Sequence, residues 1–346
     1  MVKLTSFSHG AGCGCKLSPA VLEEILNGAF VGPDNVGLLV GNNSKDDAAI
    51  FELSEDHCVI STTDFFMPIV DDAFDFGRIA AANAISDVYA MGGKPIMALA
   101  ILGWPIDKLS SEVAQKIIAG GRSICHEAGI ALAGGHSIDA SEPIFGLAVN
   151  GIVHKKNIKR NSTACFGDYI ILTKRLGVGI LATAEKKGLL LPNDIGVATS
   201  QMVQLNKLGM LLCGIDGVHA MTDVTGFGLL GHLLEMVKGS GVGAVIEKDA
   251  VLELSGNLAY YIQRGCVSGG LSRNWKSYKN DVLGIGDGSI EQIILSDPQT
   301  SGGLLISVDA SSLDEVVDKM ISCGLEQFTI PIGTIVNNHV GRVLVK

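Results

Sequence analysis

Five aspartates stand at the ends of apolar segments: Asp46 and Asp47, Asp64, Asp87 and Asp223. Carboxylates so placed sit at the rim of a sheet or helix bundle, where they can converge on Mg²⁺ already held by phosphate oxygens. Any one of them alone reads as a turn or cap residue. Asp87 differs, because it lies one helical turn from Asn83 in an alanine-rich stretch, and a carboxylate buried there needs a cation or a hydrogen-bond partner. The clusters Gly134-Gly135-His136-Ser137 and Ser301-Gly302-Gly303 let backbone N–H groups approach an anion closely. Neither a G-x-x-x-x-G-K-[ST] loop nor a G-x-G-x-x-G turn after a strand occurs, so a nucleotide would have to be held by another route.

Cys13-Gly14-Cys15-Lys16 is the other reactive segment. A complete zinc site would need a second ligand pair at suitable spacing, which the sequence lacks, and a Cys13–Cys15 disulfide would be strained. Two readings stay open: an exposed loop cysteine without a role, or a nucleophilic or carrier thiol on a mobile loop, with Lys16 lowering its pKa or clamping a phosphate. His9 reads as loop-stabilising. Of the remaining cysteines, Cys58, Cys125 and Cys213 lie in apolar segments and read as small buried hydrophobes.

The elements that must position these groups alternate between strand and helix. Residues 1–17 read as a loop. A helix follows, with Ser18 as N-cap, Pro19 at the first helical position and Val21, Leu22, Ile25 and Leu26 on one face. Strands are expected around 37–40, 47–51, 58–62, 96–102, 130–133, 144–153 and 169–173. Helices are expected at 74–91, stopped by Gly92-Gly93, and at 112–128, 197–208, 227–237 and 313–321. The polar, basic stretch 154–168 marks a domain boundary, giving a segment 1–17, a domain 18–156 and a domain 157–346. Thr63-Asp64 and Thr222-Asp223 both follow apolar strands, which is compatible with duplication.

The chain has 346 residues, more than one hydrophobic core usually serves, so two domains are the default. With 47% hydrophobic and 18% charged residues it can fold, and its 44 glycines cluster between apolar runs as turns or ligand-hugging loops. A net charge of -10 argues against a nucleic-acid or anionic-membrane partner. No uncharged apolar run of membrane-spanning length occurs, and no targeting segment is apparent, so a cytoplasmic location is expected.

Taken together, Ser8-His9-Gly10-Ala11-Gly12-Cys13-Gly14-Cys15-Lys16, Asp46-Asp47-Ala48-Ala49, Ser61-Thr62-Thr63-Asp64-Phe65-Phe66, Asn83-Ala84-Ile85-Ser86-Asp87, Ala133-Gly134-Gly135-His136-Ser137, Met221 to Gly228 and Asp297-Pro298-Gln299-Thr300-Ser301-Gly302-Gly303 resemble selenophosphate synthetases. The motifs run in family order over nearly the whole chain. The resemblance implies an α/β (α+β), two-domain fold like that of aminoimidazole ribonucleotide synthetase, with N-terminal sheets pairing in a homodimer. It implies conversion of ATP, selenide and water to selenophosphate, AMP and orthophosphate, supplying selenium for selenocysteine and selenouridine. By the same resemblance Cys13 and Lys16 are catalytic. ATP would be contacted by Lys16, Ser44, Lys45, Asp46, Asp64, Asp87 and, across the dimer, Gly135, His136 and Ser137. Asp47, Asp87 and Asp223 would bind Mg²⁺, and a selenium-delivery protein is a further implied partner. Two alternatives differ in testable ways. Another ATP-using enzyme of the superfamily would lack the Cys13–Lys16 segment, and a non-catalytic selenium carrier would make the five carboxylates superfluous.

Overall fold

The computed structural model describes residues 2–17, 21–22, 24–25, 36–41 and 45–346. The expected N-cap Ser18, Pro19, Leu26 and the nucleotide contact Ser44 lie outside the described residues. Helical backbone is present at Val21–Leu22 and Glu24–Ile25.

The first sheet is built from β1 (Leu38–Val40), β2 (Ala49–Glu52), β3 (His57–Phe66), β4 (Lys94–Trp104), β5 (Ala131–Asp139) and β6 (Ile144–His154). Their order is β1-β2-β3-β6-β4-β5, antiparallel except for the β4–β5 pair. On β3, Cys58, Ile60, Asp64 and Phe66 are buried and alternate with more exposed neighbours, as one covered face requires. The cover is α1 (Ala73–Ala90), with α2 (Ser111–Glu127) packed beside it.

Helix α1 starts where the Asp72 carboxylate accepts from the Asp75 N–H at 2.9 Å. It ends beyond Met91 at Gly92, whose φ of 75° only glycine adopts without strain. Its residues from Ile79 to Ala90 are buried on every side. An all-round apolar helix of this kind belongs inside a core, and α1 also meets elements of the second sheet.

That second sheet comprises β7 (Tyr169–Leu172), β8 (Val218–Asp223), β9 (Gly243–Ile246), β10 (Val282–Leu283), β11 (Leu304–Val308), β12 (Gly333–Val336) and β13 (Val343–Val345), in the order β10-β13-β9-β12-β7-β11-β8. Its helices are α3 (Val178–Lys186), α4 (Val197–Met202), α5 (Leu208–Leu212), α6 (Gly228–Ser240), α7 (Leu258–Gln263), α8 (Gly269–Tyr278), α9 (Ile290–Leu295) and α10 (Leu313–Ser322).

Three expectations need correction. The single helix over 197–208 is two pieces, α4 and α5, because the connecting residues are used elsewhere: Gln204 offers its carbonyl to Lys174, and the Asn206 amide reaches Ser86 and Gly302. The glycine cluster at 134–135 lies inside strand β5 rather than in a loop. Residues 1–17 are not wholly irregular, since Leu4–Phe7 and Gly12–Cys15 form 3₁₀ turns.

The α1–α2 contact sets a packing limit. A Cβ on Gly77 would stand 1.9 Å from the Ile117 carbonyl oxygen, and one on Gly120 would stand 2.0 Å from that of Phe74. Backbone cannot yield as a flexible side chain can, so Gly77→Ala should destabilise the fold by about 1–3 kcal/mol. Thermal unfolding should show a Tm lower by several degrees, whereas Gly269→Ala, with nothing within 4 Å of its Cβ, should leave Tm nearly unchanged.

Candidate active site

Strand β3 and helix α1 deliver the first carboxylates. On the covered face of β3 the pattern turns polar at Thr62 and Asp64, and α1 presents Asn83, Ser86 and Asp87 towards them. Thr62 Oγ1 donates to Asp87 Oδ2 at 2.5 Å, and Asn83 Nδ2 donates to Asp64 Oδ2 at 2.8 Å. From the second sheet, β8 ends on Thr222-Asp223. Asp223 Oδ2 accepts from Ser86 Oγ at 2.5 Å, while Thr222 Oγ1 donates to Asp47 Oδ1 at 2.8 Å. Asp47, Asp87 and Asp223, distant in sequence, therefore belong to one network.

The electrostatics of that network are unfavourable without a cation. Asp47 and Asp87 are pushed well above the usual carboxylate range, by burial first and then by repulsion from Asp223 and from other carboxylates nearby. Asp223 is also raised, chiefly by burial and against the help of the Ser86 hydrogen bond. Asp47 Oδ2 is buried and has no hydrogen-bond partner. An orphaned, buried carboxylate oxygen amid mutually repelling carboxylates is what a divalent cation would satisfy.

The N-terminal segment is docked onto this cluster. Lys16 Nζ pairs with Asp64 Oδ2 at 2.8 Å. Burial opposes the lysine's charge, but Asp64, Cys13 and Asp87 outweigh it and raise its pKa. Cys13 is 1% exposed; its N–H donates to Thr300 Oγ1 at 2.9 Å and its Sγ to Asn83 Oδ1 at 3.2 Å. Lys16 pulls the Cys13 pKa down, as expected, but burial is the larger effect and the thiol ends far above its ordinary value. Cys15 is half-buried, with Sγ on the Gly12 carbonyl at 2.9 Å. His9 meets Glu142 at 2.9 Å, in keeping with a loop-stabilising role.

Beyond the anion-approach reading of Ser301-Gly302-Gly303, sequence reasoning leaves 297–303 without a role, and the structure supplies one. This buried segment lies against the 221–228 segment, through Val224 N–H to Gly303 O and Gln299 N–H to Thr225 O. Thr300 anchors Cys13, and the Ser301 N–H donates to Asn83 Oδ1 at 2.8 Å. Asp297 accepts from the Gly179 and Ile180 N–H groups at the start of α3, and burial lifts its pKa to about 7. Lys174 was also missed: it is buried beside Ser301 and Gln204, whose carbonyls its Nζ reaches, and burial pulls its pKa down to about 7. Lys174 and Asp297 carry no local signal of this in the sequence, and Ser301 has only its neighbouring glycines.

Other expected contacts lie elsewhere. Asp46 Oδ1 accepts from the Asn161 N–H, and the Asn161 amide donates to the Lys45 carbonyl, so both residues adjoin the 155–168 connection. Gly135, His136 and Ser137 are exposed on β5, an edge strand away from the acidic network. Gly135 has a packing reason of its own, since a Cβ there would lie 2.2 Å from the Ala100 carbonyl oxygen. Cys58 and Cys125 are buried as expected, whereas Cys213 is only half-buried.

Comparisons with known proteins agree with the fold. Residues 45–153 match the N-terminal domain of AIR synthase related proteins, and residues 166–346 match the C-terminal domain. A selenide, water dikinase of Photorhabdus laumondii is 56% identical over 100% of this chain and 98% of its own length. One from Pseudomonas aeruginosa is 56% identical, covering 98% of this chain and 97% of that protein. Among solved structures, thiamine-monophosphate kinase from Stenotrophomonas maltophilia superposes with a TM-score of 0.65 at 21% identity, covering 90% of this chain and 92% of that one. The hydrogenase maturation protein HypE in complex with ATP gives 0.64 at 18% identity, covering 90% and 87%. At such identities these two likenesses speak for the fold.

A carboxyl whose pKa is higher in the folded than in the unfolded chain binds more protons when folded, so stability falls as pH rises from the ordinary carboxylate range through the folded values. Metal-free protein should therefore lose thermal stability as pH rises from about 4, the ordinary carboxylate value, towards neutrality and above. Asp87→Asn should raise the metal-free Tm by about 2–4 °C at the upper pH and flatten the dependence. Calorimetry in chelator checks both, and a stability that rises with pH in that window contradicts the reading.

Proposed function

The chain belongs to the AIR synthase related family and, within it, to the selenide, water dikinases, and from that membership we propose how its own residues divide the work. The enzyme transfers the γ-phosphoryl group of ATP to selenide and hydrolyses the remaining ADP, giving selenophosphate, AMP and orthophosphate. The observation that carries the reading is the docking of Cys13 and Lys16, through Asn83 and Asp64, onto the network of Asp47, Asp87 and Asp223.

Selenide is a soft nucleophile, ionised near neutral pH, so the protein's harder task is electrostatic. Asp47, Asp87 and Asp223 would hold Mg²⁺, and the partnerless Asp47 Oδ2 and the mutual repulsion fit that use. Bound there, the ion would neutralise triphosphate charge. Lys16, whose charge its surroundings favour, would exchange Asp64 for a phosphate oxygen once ATP enters. Asp46, Lys45 and Ser44 would form the other side of the nucleotide site.

Segment 8–17 acts as a lid in this proposal, opening to admit substrate and closing to exclude bulk water until ADP is hydrolysed. Cys13 then has two states. In the docked segment burial keeps it a thiol, donating to Asn83 and able to orient an anionic selenium species. Any step that needs the thiolate belongs to the open segment, where the desolvation is relieved.

The free edge and face of the first sheet support a homodimer. Among described residues β5 has no outer neighbour, and the face turned away from α1 carries exposed Phe51, Phe65, Leu99, Ile138 and Ile152. Pairing of two such sheets would bring Gly135, His136 and Ser137 to the partner's nucleotide. None of the helices among the described residues is long and apolar enough to cross a membrane, and all eight cysteines are free, as suits the reducing cytoplasm. A selenium-delivery protein would meet the enzyme while the lid is open.

Phosphorus NMR with ATP and selenide should show a selenophosphate resonance for the wild type and none for Cys13→Ser. Asp87→Asn should cut AMP formation by about a hundredfold or more. Single-turnover quenching should show no free ADP before AMP, and its early release would contradict trapping. A protein that binds selenide but never forms AMP would be a carrier instead.

A further inference from the structure

Away from the acidic network, Cys165, Asp168 and His219 meet at the opposite end of β8. Each offers a ligand atom, and these atoms all lie within 4.8 Å of one another; no other group of three or more Cys, His, Asp or Glu does so among the described residues. Asp168 immediately precedes β7, His219 is the second residue of β8, and β11 runs between those strands. The site thus rests on the frame of the second sheet rather than on a loop alone.

The carboxylate is already oriented. Asp168 is 1% exposed, and its Oδ2 accepts from Ser307 Oγ on β11 at 2.5 Å and from the Cys165 N–H at 2.9 Å. Its Oδ1 faces His219 Nδ1 at 2.9 Å. Zinc bonds of about 2.0–2.2 Å at a tetrahedral angle require two such ligand atoms to stand roughly 3.4 Å apart, so seating an ion needs only a small spreading of this pair. The Cys165 side chain is free to join them: the residue is exposed, and its Sγ has only a 3.6 Å contact with the Thr163 carbonyl. A second carboxylate, Asp309, is close enough to act electrostatically on both Cys165 and His219.

We propose that Cys165, Asp168 and His219 form a structural site for a divalent transition metal of zinc type, separate from the catalytic network, with water or Asp309 in the fourth position. One thiolate, one imidazole and one carboxylate make a borderline-soft ligand set, which favours zinc over magnesium or calcium. Ser307 and the Cys165 N–H serve as the outer partners that hold the carboxylate in place. Binding displaces the Cys165 thiol proton and any proton shared between His219 Nδ1 and Asp168, so affinity rises with pH. The metal would staple the connection between the two sheets to β8. That connection already touches β8 where Met221 N–H donates to the Arg160 carbonyl. Asp223 lies only four residues beyond His219, about 13 Å along the strand.

The test uses the full chain in excess magnesium, with Cys13→Ser, Cys165→Ser and His219→Gln variants. Equilibrium dialysis against Zn²⁺ in a weak chelator should find one equivalent retained by the wild type. Substitution with Co²⁺ should give thiolate-to-metal charge-transfer absorption. Cys165→Ser should abolish that absorption, and both it and His219→Gln should weaken binding by about tenfold or more. Cys13→Ser should leave both measurements unchanged. Cys165→Ser should still form AMP within about twofold of wild type, since Cys165 is remote from the reaction, and its metal-free melting curve should match the wild type. Failure of the wild type to retain an ion overturns the proposal. So does absorption that survives Cys165→Ser or disappears in Cys13→Ser, which would place the metal at the N-terminal thiol.

Discussion

Carboxylates repel one another, and burying several together is tolerated only where something positive is meant to join them. Asp47, Asp87 and Asp223 are in that position. Each is raised above its ordinary range by burial, Asp47 and Asp87 also by other carboxylates of the cluster, and one oxygen of Asp47 has no hydrogen-bond partner. The two sheets are arranged around this constraint. The first contributes Asp64 on β3, with Asn83 and Asp87 on the helix covering it. The second ends β8 on Asp223, and Ser86 and Thr222 carry hydrogen bonds across the gap. The repulsion costs stability that a bound cation would restore.

The N-terminal segment answers the same field with the opposite sign. Lys16 is the cation that approaches, and its bond to Asp64 partly neutralises the cluster from above. Cys13 rides with it and is buried as a consequence, so the position that brings the sulfur close also protonates it. Asn83 joins the parts: its amide nitrogen donates to Asp64, while its oxygen accepts from both Cys13 and Ser301. One side chain therefore ties helix α1, strand β3, the N-terminal segment and the 297–303 segment together.

Much of this was legible in the residues. Helix α1 and its glycine stop, the strands of the first sheet and the acidic ends of apolar segments all follow from local pattern, because period, capping and turn chemistry act over a few residues. The helix expected over 197–208 failed for a nonlocal reason. Asn206 and the Gln204 carbonyl are needed by Ser86, Gly302 and Lys174, and those demands outweigh helical propensity. The use of 297–303 was invisible for the same reason, since its partners Cys13 and Asn83 lie 287 and 218 residues away.

The sequence by itself determined which groups are available: a Cys-Gly-Cys-Lys segment, five aspartates at element ends, glycine clusters that backbone can crowd, and the ordered motifs that mark the family. Only the tertiary structure decided their state. Charge and burial depend on what surrounds a group from every side, so the protonated Cys13, the raised aspartates, the neutral-leaning Lys174 and the meeting of Cys165 with His219 arise where distant segments are packed into one low-dielectric space.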